Sequence, residues 1–428
     1  MLSEGELGDL VREHADRHAI PGATVGLSQD GTFSIAHHGV ADVTTGVPVR
    51  AGTRFAAGSL TKTMVATVIV RLAADGRLSL EDPVAAHVPE VQGAAWAGRS
   101  SVRDLLANRS GLPLRADLEF GFDRHPDADD GALSRLAAEV AGADPIGDFW
   151  SYSNIGWCLL GRVVETVTGQ TWDAAMRRHL FEPAGMRETT IGNAGDVQPR
   201  ATGHSIVDRR PEPVAGRDVR AYGPAGTSLM TTAADLLGFA ELHMQDPSLA
   251  VLRVAHADIS IPSWFDAWCL GQARFDWGRA VWGWDGMIDG QRSVLRYIPE
   301  RRVALALMTN GSTGRAMFRS LLPELMRSFG LAVPRLDADV SPVPADGLDR
   351  FAGQYRWPDW DIRVDAGPTN LTIETPEQRV TASPVGWGTF RVDPPDPDSP
   401  TVMFAGFDAE GRPHVLYDSL WGFPRITT

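Results

Sequence analysis

The sequence predicts an α/β protein whose main sheet draws strands from both ends of the first 330 residues, followed by a small β domain. Three observations predict it. Strand-like segments stand near the start, at Ala23–Ser28 and Thr32–His38, and again at Ser293–Ile298 and Val303–Thr309. The intervening stretch, from about 60 to 245, reads as mostly helical. The last part of the chain alternates strand-like runs with Gly, Pro and Asp turns.

Residues 1–19 read as an amphipathic helix that Pro21-Gly22 ends, and Gln29-Asp30-Gly31 is the turn between the first two strands. Ser59 opens a strongly apolar helix through Met64, Val65, Val68, Ile69 and Leu72, which Gly76 stops. Ser101-x-x-Asp104 and Thr232-x-x-Asp235 have the form of capping boxes before further helices. The late strands form a hairpin around Pro299–Arg302, and a helix follows from about 313 to 329. Leu331–Ala345, with Pro334, Pro342 and Pro344, reads as a linker. The chain therefore divides into 1–330, a linker at 331–345 and a β domain at 346–428.

Composition narrows the function. The hydrophobic share of 43% and charged share of 22% are those of a globular protein, not a disordered one. A net charge of −14 argues against nucleic acid or an anionic membrane as the main partner. Cys158 and Cys269 are too few for a disulfide framework and lie among apolar residues, as buried thiols do. Met1–Ala19 is charged and lacks an apolar stretch of signal-peptide length, so a cytoplasmic protein is expected. No metal site is expected. His37 and His38 point to opposite faces of a strand, while His14 and His18 have no third ligand nearby and read as surface residues.

The chemistry is written around one residue. Of the 40 Lys and Arg residues, only Lys62 is a lysine, and it stands three residues after Ser59. Arginine keeps its proton at any working pH, whereas a desolvated lysine can shed one and act as a base. Lys62 heads an apolar stripe with Ala66, Ile69 and Ala73, a setting in which burial lowers the pKa from the usual value of about 10.4. Ser-x-x-Lys is the spacing of a serine nucleophile and its base. Tyr152-Ser153-Asn154 begins a second apolar helix, and Tyr152 is one of only five tyrosines. In such chemistry Ser59 attacks a carbonyl, Lys62 or Tyr152 takes its proton, Tyr152 returns a proton to the leaving group, and Asn154 bonds Lys62 or the substrate.

These motifs make the chain resemble the class C β-lactamase and esterase family, serine hydrolases related to penicillin-binding proteins. The likeness covers about 20–330 and extends beyond the motifs. It includes Arg54-Phe55-Ala56-Ala57-Gly58-Ser59-Leu60-Thr61-Lys62, Gly76-Arg77-Leu78-Ser79-Leu80-Glu81-Asp82-Pro83 and Asp104-Leu105-Leu106-Ala107-Asn108-Arg109-Ser110-Gly111-Leu112-Pro113, where Asn108 replaces a usual histidine. Glu182-Pro183-Ala184-Gly185-Met186 and Gly226-Thr227-Ser228-Leu229-Met230 continue it in order. The resemblance implies the serine β-lactamase-like sandwich, an antiparallel sheet flanked by helices with a helical subdomain. It also implies Ser59 as nucleophile, Lys62 as base and Tyr152 as proton shuttle, with no cofactor. From Leu348 onward the chain resembles the lipocalin-like β-barrel appended to some members, among them D-amino-acid peptidases and stand-alone cyclases of non-ribosomal peptides.

The third family motif departs from its pattern. Members carry Lys-Thr-Gly or His-x-Gly beside the nucleophile; here Gly283-Trp284-Asp285-Gly286-Met287 puts Trp284 where the cation belongs and Asp285 where the threonine belongs. An apolar face and a negative charge would repel a substrate carboxylate, so efficient β-lactam hydrolysis is not expected. The backbone N–H groups of Ser59 and Met287 are the expected oxyanion hole. A register that puts Trp282 in place of Trp284 stays open. Arg425, near the C-terminus, would supply the missing cation if the barrel closes over the site. Trp264, Trp268, Trp277, Trp282 and Trp284 crowd into one stretch, either as core or as the lining of a cleft for a bulky, ring-bearing substrate.

The expected function is a cytoplasmic serine hydrolase or acyltransferase of secondary metabolism. It takes a small-molecule ester or amide and passes the acyl group from Ser59 to water, an amine or an alcohol. A peptide cyclase or D-specific peptidase, and a non-catalytic penicillin-binding relative, stand as alternatives. Oligomeric state is open.

Overall fold

The computed structural model describes residues 1–112, 129–143, 147–192, 199–216, 218–257, 259, 265–333, 347–357, 360–393 and 401–426. Ser3 opens helix α1 (Glu4–Arg17) with a complete capping box, its hydroxyl accepting from Glu6 N–H while Glu6 accepts from Ser3 N–H. Strands β1 (Gly22–Gln29) and β2 (Thr32–Gly39) follow. Asp30 (φ 51°) and Gly31 (φ 78°) join them with the two positive φ angles a tight hairpin needs.

The main sheet is completed by β3 (Ala267–Trp268), β4 (Ala273–Asp276), β5 (Ala280–Ile288), β6 (Gln291–Ile298) and β7 (Val303–Thr309). Its order is β2-β1-β7-β6-β5-β4-β3, antiparallel throughout, so the first strand pairs with the last. This is the α/β sandwich the sequence predicts. β3 to β5 are additional to the strands read from the sequence, and the helical stretch also holds small strands, such as Thr190–Ile191 against Leu229–Thr231.

Behind the sheet lies α2 (Leu60–Ala74), apolar on every side and almost wholly buried, as a central helix must be. α3 (Asn154–Thr168) and α4 (Ala233–Gln245) pack on it or on the sheet, and α5 (Gly314–Arg327) joins α1 on the other face. Ser101 and Asp104 form a full capping box. Thr232 caps its helix, but Asp235 bonds Glu188 N–H (2.9 Å) and Thr189 Oγ1 (2.7 Å) instead of closing the box.

The histidines correct an expectation. His14 is fully buried between α1 and α5, within 2.7 Å of Ser320 Oγ and 3.1 Å of Glu324 Oε1; His18 shares Ser320. Their i,i+4 spacing serves helix packing. Among the described residues no cluster of His, Cys, Asp and Glu could hold a metal, and no helix is long and apolar enough to cross a membrane. Both cysteines are buried.

The C-terminal domain is an eight-stranded antiparallel meander: β8 (Gly353–Trp357), β9 (Trp360–Ala366), β10 (Leu371–Glu374), β11 (Arg379–Gly386), β12 (Thr389–Asp393), β13 (Thr401–Phe407), β14 (Pro413–Asp418) and β15 (Trp421–Pro424). A bridge between Tyr355 and Arg425, and Ile426 N–H donating to Gln354 O (2.8 Å), nearly close it into a barrel. Phe351, Tyr355, Trp357, Phe390, Phe404 and Phe423 fill its core. Val415, Tyr417 and Leu420 belong instead to the core of the larger segment. Most of the predicted linker lies outside the described residues.

Candidate active site

Gly58 takes a left-handed turn (φ 55°) that delivers Ser59 to the head of α2. Three segments meet there without room for side chains. A Cβ on Gly58 would stand 2.6 Å from Met287 N, and one on Gly226 would stand 2.9 Å from Ser59 N. One turn along α2, Lys62 is fully buried, its Nζ 3.1 Å from Ser59 Oγ, 2.9 Å from Asn154 Oδ1 and 2.5 Å from Ala225 O. Asn154 Oδ1 and Ala225 O can only accept. A neutral amine therefore gives them its two N–H bonds and turns its lone pair to Ser59 Oγ–H. After proton transfer the ammonium has three N–H bonds for the same three neighbours. The site accommodates both states without rearrangement.

Tyr152, 3% exposed, precedes α3, whose first N–H groups are capped by Ser153 Oγ accepting from Gly156 N–H (3.0 Å). Its ring is caged by Trp268 (5.8 Å), Trp284 (5.9 Å) and Trp421 (6.4 Å), with Lys62 Nζ 4.8 Å from the ring centroid. Trp284 Nε1–H donates to Tyr152 Oη at 3.3 Å. Trp284, which the sequence reading sets in the place of the family's cation, thus presents a neutral N–H to the tyrosine. Trp282 takes a different role, donating its indole N–H to Arg253 O (3.1 Å).

Asp285 does not act as the exposed negative charge the sequence led us to expect. Arg296 on β6, 3% exposed, pairs with it at 2.7 Å, lies 3.8 Å from the Phe275 ring centroid and donates to Trp284 O (3.1 Å). The carboxylate is balanced from the neighbouring strand. Met287 is 59% exposed, at the rim of the site.

Ser59, Tyr152, Asn154, Trp284, Asp285 and Met287 line one cleft of about 820 Å³. Arg425 does not. Its guanidinium donates to Arg350 O (2.9 Å) and Ala352 O inside the barrel, which corrects its expected role as the substrate cation. Among the described residues, the cations that line the cleft are Arg292 and Arg315. The core reading holds for most of the tryptophan stretch: Trp268, Trp277 and Trp282 are core, Trp264 lies outside the described residues, and of the four described only Trp284, itself buried, lines the cleft. Phe318 on α5 adds to the aromatic wall, and the barrel contributes Trp357, Trp360, Trp421 and Phe423. No local pattern around those barrel residues marks them, because only the docking of the barrel brings them to Ser59.

The Beta-lactamase family model matches residues 7–324. Penicillin-binding protein 4 of Amycolatopsis lactamdurans is 32% identical over 364 residues, covering 79% of this chain and 93% of that protein. Esterase EstB of Burkholderia gladioli is 34% identical over 194 residues, 42% of this chain and 48% of that one. The crystal structures of SurE, alone and with D-Leu, superpose with TM-scores of 0.80 at 27% and 26% identity, over 99% of both chains.

Proposed function

Because the chain belongs to the Beta-lactamase family, we propose that it is a serine acyl hydrolase or acyltransferase, acting on a small-molecule ester or amide through an acyl-enzyme on Ser59. The observation that carries the reading is Lys62 Nζ beside Ser59 Oγ, with acceptors placed for both proton states. Lys62 takes the hydroxyl proton as Oγ attacks the carbonyl carbon. The Ser59 and Met287 N–H groups hold the oxyanion, and Tyr152 passes a proton to the leaving oxygen or nitrogen. Water, an amine or an alcohol then attacks the acyl-enzyme, and the proton path runs in reverse. The aromatic wall supports a bulky apolar acyl group. The replacement of the third-motif cation by Trp284 speaks against efficient β-lactam hydrolysis. A cytoplasmic place in secondary metabolism belongs to the same proposal, and cell fractionation checks the location.

A second reading is favoured by one finding, the full-length likeness to SurE, solved with D-Leu. It takes the acyl donor to be a peptide ending in a D-residue, released by cyclisation or hydrolysis.

Intact-protein mass after brief exposure to short and aromatic p-nitrophenyl esters, a penicillin, and peptide thioesters ending in D- or L-residues tests both, with Ser59→Ala beside the wild type. A Ser59-dependent adduct is expected from the esters. Adducts confined to the D-thioester would select the second reading. Neither adduct nor turnover with any donor would sink both in favour of a non-catalytic binding protein.

A further inference from the structure

Residues 150–153, which carry Tyr152, form neither strand nor helix, so their polar groups look for partners outside any ladder of their own. The turn between β14 and β15 supplies them. Tyr152 N–H donates to Leu420 O (3.0 Å), Gly422 N–H donates to Ser151 Oγ (3.1 Å), and Tyr417 O–H donates to Trp150 O (2.8 Å). From the larger segment, Asn108 O accepts from Ser151 N–H (2.9 Å). The rings interlock as well: Tyr417 lies 6.2 Å from Trp150, and Trp421 stands edge-on to Tyr152. A Cβ on Gly422 would press to 2.7 Å from the Phe149 ring. Trp150, Ser151, Tyr152, Tyr417 and Leu420 are all buried, so water does not compete for these bonds.

We propose that the Tyr417–Gly422 turn of the C-terminal barrel is a positioning element of the active site, which seats the Tyr152 hydroxyl for proton transfer. This rests on the reading of Tyr152 as proton shuttle. It goes further in making the barrel a working part of the site. The same turn contributes Asp418, Ser419, Leu420 and Trp421 to the cleft wall, so a substrate leaning on that wall touches the device that holds the shuttle.

Ser151→Ala removes the acceptor for Gly422 N–H, Tyr417→Phe removes the donor to Trp150 O, and Ser151→Thr keeps the hydroxyl. In the full-length protein, kcat and KM for a p-nitrophenyl ester, Tm, and hydrogen exchange of the 149–153 segment are measured together. Val380→Ala, in the barrel core away from the turn, is the control for lost stability alone. Each of the first two variants is expected to lower kcat about 10-fold, and the pair about 100-fold, with KM within about 2-fold and faster exchange at 149–153. Ser151→Thr is expected to restore kcat. An unchanged kcat despite faster exchange overturns the proposal, as does a kcat loss that merely follows Tm as in Val380→Ala. Should no donor label wild-type Ser59, the proposed function fails on its own. Exchange then decides the seating: faster exchange at 149–153 in both variants upholds it, and unchanged protection overturns it.

Discussion

Lys62 can be exchanged for arginine without loss only if it serves to carry charge. Its neighbours point to a different role, since two obligate acceptors and one hydroxyl let it stand as an amine or an ammonium in one place. Lys62→Arg, which keeps the charge but cannot shed it, is expected to lower kcat about 1,000-fold in stopped-flow ester hydrolysis while the protein stays folded. Activity within about 3-fold of wild type would remove lysine from the role of base. Trp284 is the second informative residue. Trp284→Phe keeps most of the packing and deletes the N–H that reaches Tyr152 Oη. Steady-state kinetics should show kcat down about 10-fold with KM little changed, because the lost bond orients a proton donor and does not bind substrate. A change confined to KM would mean that Trp284 acts as cleft wall only.

Among the elements, α2, α4 and β6 are tied together by one buried polar chain. Thr67 Oγ1 lies 2.9 Å from His243 Nε2, His243 Nδ1 lies 3.1 Å from Tyr297 Oη, and Tyr297 O–H donates to Gln272 Oε1 at 2.8 Å. Complete burial, with Arg253 and Arg71 adding to it, pushes the His243 imidazole down to about 3. The unfolded chain protonates this histidine below about 6.5 and the native state does not, so its contribution to stability is whole above that pH. It is lost as pH falls from about 6.5 towards 3, at up to about 1.4 kcal/mol per pH unit. Urea unfolding at pH 7 and pH 5 should show wild type losing about 2 kcal/mol more over that interval than His243→Gln. Equal losses would mean that this histidine does not carry the acid sensitivity. Strand β5 is held just as tightly. A Cβ on Gly286 would collide with Ala57 O and Ser293 Oγ, beside the nucleophile turn. Gly286→Ala should therefore lower Tm by several degrees and ester turnover by at least about 100-fold, since it forces Met287 N–H away from Gly58.

For the whole molecule, the cleft is a joint product of two domains. The larger segment brings the proposed reacting groups, Trp284 and Phe318; the barrel brings Trp357, Trp360, Trp421 and Phe423. Trp360 is a half-buried member of that wall and forms no part of the Tyr152 clamp. Trp360→Ala is expected to raise KM about 10-fold for a ring-bearing p-nitrophenyl ester and to leave the acetate ester within about 2-fold. Equal effects on the two esters would place the acyl group elsewhere in the cleft.

The residues legible in the sequence were those joined by short-range geometry. Ser59 and Lys62 are one helical turn apart, so their meeting needs only a helix, and the apolar residues of α2 guarantee both that helix and its burial. The hairpins β1–β2 and β6–β7 were readable for the same reason, as local turns between strand-like runs. β3 to β5 were not, since short strands in a tryptophan-rich stretch have no clear period. The charge on Asp285 was misjudged because its partner, Arg296, sits on the neighbouring strand and is set by register. Arg425 was misplaced because its contacts depend on barrel closure. The sequence by itself thus determined the proposed reacting groups and their order along the chain. Only the tertiary structure decided what surrounds them: a neutral N–H on Tyr152, a barrel turn that holds it and an aromatic wall from the far end of the chain. Those contacts join segments with no local signal linking them, and they form only when strand register and domain docking are complete.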